Sequence, residues 1–203
     1  MSATRTERWR VNEIFHSLQG EGFHTGTAAV FVRLSGCNLR CEFCDTSHAS
    51  GTMMTLDHII DAVNRYPTAP LLVLTGGEPS LVIDEAMLGA LHSATGKLIT
   101  IETNGTHHLP DGIDWVTLSP KTGFVGGDLA PVVLTHCDEL KVVYVGQDLA
   151  QYDHIEATHR FLQPCYVNDP EQRRRGIADT VAAVMSHPEW RLSLQTHRYL
   201  NIR

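Results

Sequence analysis

The sequence predicts an α/β fold, an incomplete (β/α) barrel of mainly parallel strands with some helices shortened or missing. Three observations carry this. Short apolar runs alternate with amphipathic stretches, several of the runs end in polar or glycine-rich residues, and the chain has 203 residues where a closed eightfold barrel typically has about 250. The runs are 28–34 (AAVFVRL), 71–74, 98–101, 116–118, 140–145, 160–163 and 191–194, each with strand length and composition. Helical patterns lie at 55–66, at 84–94 through Ala86, Ala90 and Leu91, and farther on through Ile177, Val181, Val184 and Met185. The connection 119–138, with its glycines, is too irregular for a full helix. No repeat or linker interrupts the chain, so 1–203 is read as a single domain.

Apolar residues make up 42% and charged residues 19%, within the range of packed globular proteins. The net charge of −7 opposes broad attraction to polyanions, so no nucleic-acid partner is expected, and the run Arg173, Arg174, Arg175 reads as a solvated helix face. Residues 1–10 are charged and lack an apolar run, and no later segment approaches the roughly 18 apolar residues a membrane helix needs. No membrane partner and a cytoplasmic location are the expectation.

Five cysteines is an odd number, and three of them fall in the segment 35–46, SGCNLRCEFCDT. This favours metal ligation over disulfides. Cys37, Cys41 and Cys44 have the spacing C-x3-C-x2-C in a loop that leaves the first apolar run. Three thiolates at this spacing can hold three corners of a cubane cluster, leaving the fourth iron without a protein ligand. The alternative is a zinc site completed by His48 or another of the 12 histidines. Cys137 and Cys165 stand apart and read as small buried hydrophobes.

With aromatic Phe43 between the last two cysteines, this loop resembles the radical SAM superfamily. The resemblance implies a barrel of radical SAM type, a 4Fe-4S cluster on Cys37, Cys41 and Cys44, and S-adenosyl-L-methionine (SAM) on the open iron. One electron would then cleave SAM to methionine and a deoxyadenosyl radical. It places Phe43, Cys44 and Asp45 against SAM. Three further strand ends fit the family: 75–79 (TGGEP), with Gly77 toward the SAM amino group; 102–105 (ETNG); and 119–121, with Ser119, Pro120 and Lys121 toward ribose or carboxylate. Lys121 is otherwise a surface lysine after a turn. Gln163 has donor and acceptor for adenine, or merely caps a strand end.

LQGEG within 12–22, CDT after the cysteines and QTH near residue 196 together resemble the 7-carboxy-7-deazaguanine synthase family of queuosine and 7-deazapurine biosynthesis. The resemblance implies a carbon-nitrogen lyase that converts 6-carboxy-5,6,7,8-tetrahydropterin to 7-carboxy-7-deazaguanine by radical ring contraction with loss of ammonia. Its substrate segments are 12–22 and 194–203, flanking the cluster loop 35–46. Leu18, Gln19 and Gly20 would meet the flat polar edge of the pterin, with Thr75 a further contact. Arg33 would meet the carboxylate, unless it forms a structural ion pair with Glu13 or Asp45. Thr46 matches the family's magnesium ligand, and in isolation reads as a turn or cap. Arg203 would bring the chain end to the mouth, the alternative being a frayed tail. Arg198 stands where the family more often has lysine. A homodimer and a reducing electron donor such as flavodoxin or ferredoxin are implied as partners. The rivals are an activating enzyme for a glycyl-radical protein and a non-catalytic metal-binding or electron-carrier module.

Overall fold

The computed structural model describes residues 7–44, 46, 49–124, 126–127 and 130–203. Its strands are β1 (Arg8–Leu18), β2 (Ala28–Leu34), β3 (Thr52–Thr55), β4 (Leu71–Gly76), β5 (Leu98–Thr103), β6 (Trp115–Leu118), β7 (His136–Tyr144), β8 (Glu156–Pro164) and β9 (Arg191–Leu192). Among the described residues they form one unclosed sheet in the order β3-β1-β2-β4-β5-β6-β7-β8-β9. Every pair from β2 to β9 is parallel, which is the incomplete barrel expected.

The antiparallel pairs β1–β2 and β1–β3 depart from the sequence reading, which has no strand at 8–18 or 52–55. In β1 the alternation that buries Trp9 and Val11 breaks at a register shift between Val11 and Glu13 and resumes at Phe15. A bulge displaces the period of two that sequence reading relies on.

Helix α1 (Leu56–Asn64) starts at Thr55, whose side chain accepts from the His58 N–H, and buries Ile59 and Val63. Helix α2 (Glu85–Thr95) is capped by Asp84 and stopped by Gly96 at φ 62°. It buries Met87, Leu88 and Leu91, whereas Ala86 faces solvent. Helix α3 (Pro170–Ser186) begins at Asp169 and Pro170 and buries Thr180 and Ala183. Val181 and Met185 are exposed, contrary to the face expected for them. Bulky Trp190 and Tyr152 already fill the core beside Ala183, so small residues of α3 meet it there. A last short helix, α4, covers Thr196–Leu200.

The pleat divides the strands between two tasks. One face of the sheet carries Val30, Val32, Leu72, Leu74, Ile99 and Ile101, and these pack in one core with Ile59, Val63, Met87, Leu88 and Leu91 of α1 and α2. A second core joins Leu118, Leu140, Val142 and Leu162 to Ala183 and Trp190. Alternate positions point the other way and include Arg33, Thr75, Glu102, Thr117, Glu139, Lys141 and Gln163. The inward face is therefore polar toward the carboxyl ends of the strands, while Phe15, Ala29, Phe31, Leu71 and Val73 make a smaller apolar cluster on the same face.

The connection from β1 to β2 turns into this interior and bridges the unclosed sheet. Gly20 O accepts from the N–H and the hydroxyl of Thr196, each at 2.9 Å, and the Gly22 N–H donates to Ser193 Oγ at 3.0 Å. Glu21 lies 2.6 Å from Lys141 Nζ and accepts from Gln195 Nε2 at 2.9 Å. Phe23 stacks on Trp115 and His159, with centroids 4.9 and 4.5 Å away. At Gly22, φ is 65° and a Cβ would fall 1.9 Å from Glu139 Oε1, so only glycine lets the tip pass.

Burial alone raises the Glu21 carboxyl, but the Lys141 ammonium beside it more than reverses this and holds it at about 2, below the ordinary 4.5. A depressed carboxylate contributes stability above its unfolded-state value and loses it as pH falls through its folded value. Urea unfolding between pH 4.5 and about 2 should therefore show a steeper loss of stability in the native chain than in Glu21→Gln. Equal slopes would show that the pair does not act in this way. Leu88→Ala should lower the unfolding free energy by about 3 kcal/mol. Met185→Ala, at a side chain 81% exposed, should change it by less than about 0.5 kcal/mol, both read from urea midpoints.

Candidate active site

The carboxyl ends of the parallel strands open into a cavity of about 690 Å³. Its wall includes Cys37, Cys41, Phe43, Cys44 and Thr46 of the cysteine loop; Gly77, Ser119, Lys121 and Gln163 from later strand ends; and Leu18, Gln19, Gly20, Arg33, Thr75 and Arg203. The residues singled out from sequence thus meet in one place, with two exceptions. Pro120 is buried and does not line the cavity. Asp45 lies outside the described residues, as does His48, the histidine considered for a zinc site.

The cysteine loop is held by backbone groups that need close approach. Gly77 N–H donates to Leu34 O and Glu78 N–H to Gly36 O, both at 2.8 Å. A Cβ at Gly77 would lie 1.8 Å from Gly36 O, so the glycine is required by the loop itself. With its N–H committed to Leu34, any ligand contact from Gly77 falls to its carbonyl. On the other side Arg40 N–H donates to Gly126 O at 3.0 Å, and Asn38 joins Thr106 and Asn104 at 2.8 and 3.1 Å. Phe43 packs on Phe124, centroids 4.5 Å apart.

Cys37, Cys41 and Cys44 are free thiols. Burial pushes Cys37 and Cys41 upward, and repulsion among the loop thiolates adds to it. Such thiols lose their protons when a metal supplies the compensating positive charge, and this donor set fits an iron–sulfur cluster. Lys121 is half-buried beside them; desolvation lowers it, and Lys141 adds to this. Its Nζ donates to Ser119 O at 2.8 Å and to the Ser119 hydroxyl.

Beneath the loop lies a polar floor centred on Glu102. Its carboxylate accepts from Thr75 Oγ1 at 2.8 Å, Gln19 Nε2 at 3.2 Å and Lys141 Nζ at 3.4 Å. Gln19 Oε1 accepts from the Glu21 N–H at 3.2 Å, so both ends of this amide are engaged. Burial lowers Lys141, but Glu102, Glu21 and Glu139 around it raise it overall. Glu139 is raised by its own burial despite Lys141. Glu78, 2% exposed, accepts from Thr103 Oγ1 and Asn104 N–H at 2.7 Å and from Ser80 N–H at 3.0 Å, fixing the end of β5 to that of β4.

Arg33 reaches Glu13 Oε1 through Nε at 3.0 Å and donates to Thr46 Oγ1 at 3.1 Å. The ion pair with Glu13 that competed with a ligand role is therefore present. Both roles are compatible, since a guanidinium carries five donors. Arg203 pairs with the other Glu13 oxygen and lies over Phe15, 5.0 Å from its centroid, while its carbonyl accepts from Ser17 Oγ. Residues 201–203 are nonetheless exposed. Gln163 Oε1 accepts from Ser193 Oγ at 2.8 Å, which leaves its amide nitrogen as the group to offer a ligand.

Several groups escaped sequence reading. Lys141 is the main one, and its signal was a charged residue inside the apolar run 140–145. Glu21 sits within LQGEG and Gln195 within LQTH, but their pairing needs the folded chain. Tyr166 carries the Arg198 guanidinium 3.8 Å above its ring, at the cavity edge. Cys137, pushed up to about 12 by burial and Asp138, packs against the second core as expected. Cys165 instead lines the cavity.

Residues 31–124 match the radical SAM superfamily. The 7-carboxy-7-deazaguanine synthase of Bacteroides thetaiotaomicron is 57% identical over 194 residues, which cover 96% of this chain and 98% of the relative. The enzyme of that name from Nitratidesulfovibrio vulgaris is 41% identical, covering 96% and 99%. In structure the chain resembles the crystal structure of QueE from Escherichia coli, with a TM-score of 0.71 and 27% identity over 94% of this chain and 95% of that one. Identity of this order along nearly the whole of both chains leaves one assignment: the chain belongs to the 7-carboxy-7-deazaguanine synthase family of the radical SAM superfamily.

Proposed function

We propose that this chain is a carbon-nitrogen lyase that converts 6-carboxy-5,6,7,8-tetrahydropterin to 7-carboxy-7-deazaguanine with release of ammonia. The observation that carries the reading is a single cavity that joins three cluster-compatible thiols to a floor of hydrogen-bonding side chains. A 4Fe-4S cluster and SAM, when bound, supply a carbon-centred radical able to take hydrogen from C6 of the pterin. The remaining work belongs to the protein.

Cys37, Cys41 and Cys44 would hold the cluster. Phe43, Asp45, the Gly77 carbonyl, the Ser119–Lys121 turn and Gln163 surround SAM, with Pro120 shaping that turn from behind. Leu18, Gln19, Gly20 and Thr75 take the amino-amide edge of the pterin, and the half-buried Arg33 meets its carboxylate, with the exposed Arg203 at the mouth. Thr46 would offer its hydroxyl to a magnesium ion beside the substrate carboxylate. The glycyl-radical activating enzyme and the electron carrier find no comparable support, since the relatives matched along nearly the whole chain are named 7-carboxy-7-deazaguanine synthase. We further propose a homodimer and a reducing electron donor such as flavodoxin or ferredoxin. No described helix is long and apolar enough to cross a membrane, and cytoplasmic action fits a small-molecule lyase.

Anaerobic reconstitution with iron and sulfide, followed by reductant, SAM and carboxytetrahydropterin, should yield 7-carboxy-7-deazaguanine by mass. Cys44→Ser should lose both the cluster absorbance and the product. A chain that takes up zinc and neither iron nor sulfide would sink the reading. Arg33→Met should raise KM for the carboxypterin by about 10- to 100-fold, the worth of a charge-assisted hydrogen bond, with KM for SAM unchanged. Unaltered carboxypterin kinetics would remove Arg33 from the substrate site.

A further inference from the structure

We infer that Lys141 is a positioning residue for the pterin floor: its ammonium ties the Glu21 carboxylate of the hairpin tip to the Glu102 carboxylate of β5, and so sets the side chains of Gln19 and Thr75. The inference rests on the carboxypterin reading above.

The geometry forms a closed set. Lys141 Nζ lies 2.6 Å from Glu21 Oε2 and 3.4 Å from Glu102 Oε1, and its side chain is 7% exposed. Glu102 holds Gln19 Nε2 and Thr75 Oγ1. The backbone of Glu21 holds the other end of the Gln19 amide. Both ends of Gln19 are thus gripped by residues that Lys141 draws together. Strands β5 and β7 are held in one sheet through β6, but among the described residues no backbone–backbone hydrogen bond ties the tip between β1 and β2 to either of them, so side chains must fix its position.

A neutral side chain at 141 cannot do this. Glu21, Glu102 and Glu139 all face that position, and without the cation their like charges would drive the tip away from β5. Lys121, the other ammonium of the cavity wall, is bound to Ser119 and does not replace it. Arg198 and His197 of the C-terminal segment also line the cavity, and His197 acts on Glu21. Neither is in contact with Glu102 through a hydrogen bond among the described residues.

The test uses reconstituted, SAM-loaded enzyme and the oxidised analogue 6-carboxypterin, whose fluorescence reports binding directly. Lys141→Met and the double variant Lys141→Met/Glu21→Gln are compared with Lys141→Arg. Both Met variants should weaken 6-carboxypterin binding and raise KM for carboxytetrahydropterin by about ten-fold or more, while KM for SAM and the cluster absorbance stay at the native level. The double variant, relieved of the carboxylate nearest position 141, should regain part of the thermal midpoint that the single variant loses, yet not the affinity. Lys141→Arg, which keeps the charge on a larger group, should lose less affinity than either Met variant. Recovery of affinity together with the midpoint in the double variant would make Lys141 a charge neutraliser only and overturn the inference. So would failure of both Met variants to fold, or unchanged binding in them. A native enzyme that neither binds 6-carboxypterin nor forms product would overturn the carboxypterin reading itself, which unchanged variants alone would not.

Discussion

A sheet that does not close has to be completed by something other than strand pairing, and here that constraint is met by charge. The first and last strands of the parallel series do not join, and the hairpin tip between β1 and β2 is drawn across the interior toward β7 by Glu21 and Lys141. Desolvating a lysine and a glutamate is costly, and such a pair persists only where each partner keeps further hydrogen bonds. Gln195 supplies one for Glu21, and Glu102 supplies one for Lys141. The ion pair therefore specifies where the tip sits more than it adds to stability.

The position of the tip decides the shape of the cavity. Gln19 and Gly20 become part of its wall, and the Gly20 carbonyl anchors the start of α4 through Thr196. The C-terminal segment is thereby brought to the mouth, where Arg198 lies on Tyr166 and Arg203 pairs with Glu13. The cysteine loop is secured separately, by the tight passage of Gly77 under Gly36 and by Asn38 with Asn104 and Thr106. Cofactor side and substrate side rest on independent supports that meet over one cavity.

The same alternation that builds the fold builds the site. Residues such as Leu72, Leu74, Ile99 and Ile101 supply the helix-covered core, and their immediate neighbours Thr75, Thr100 and Glu102 face inward. A reading of apolar runs catches the first set because it is hydrophobic. It passes over the second, because one charged residue in a strand gives no sign of whether it meets solvent or a partner. Lys141 is the instance that matters most, and its three carboxylate neighbours come from residues 21, 102 and 139.

The chain's own order of residues determined the strand and helix alternation, the cysteine spacing, TGGEP, and the segments that identify the family, because each depends on neighbours within a few positions. Tertiary structure alone decided that β1 is a strand, that α2 and α3 bury faces other than their alanines and Met185 suggest, and that Arg33 shares its guanidinium between Glu13 and Thr46. It also decided the floor of Glu21, Glu102 and Lys141. A bulge, a crowded core and a three-way charge contact are set by distances between residues far apart in the chain, and local pattern carries no information about those distances.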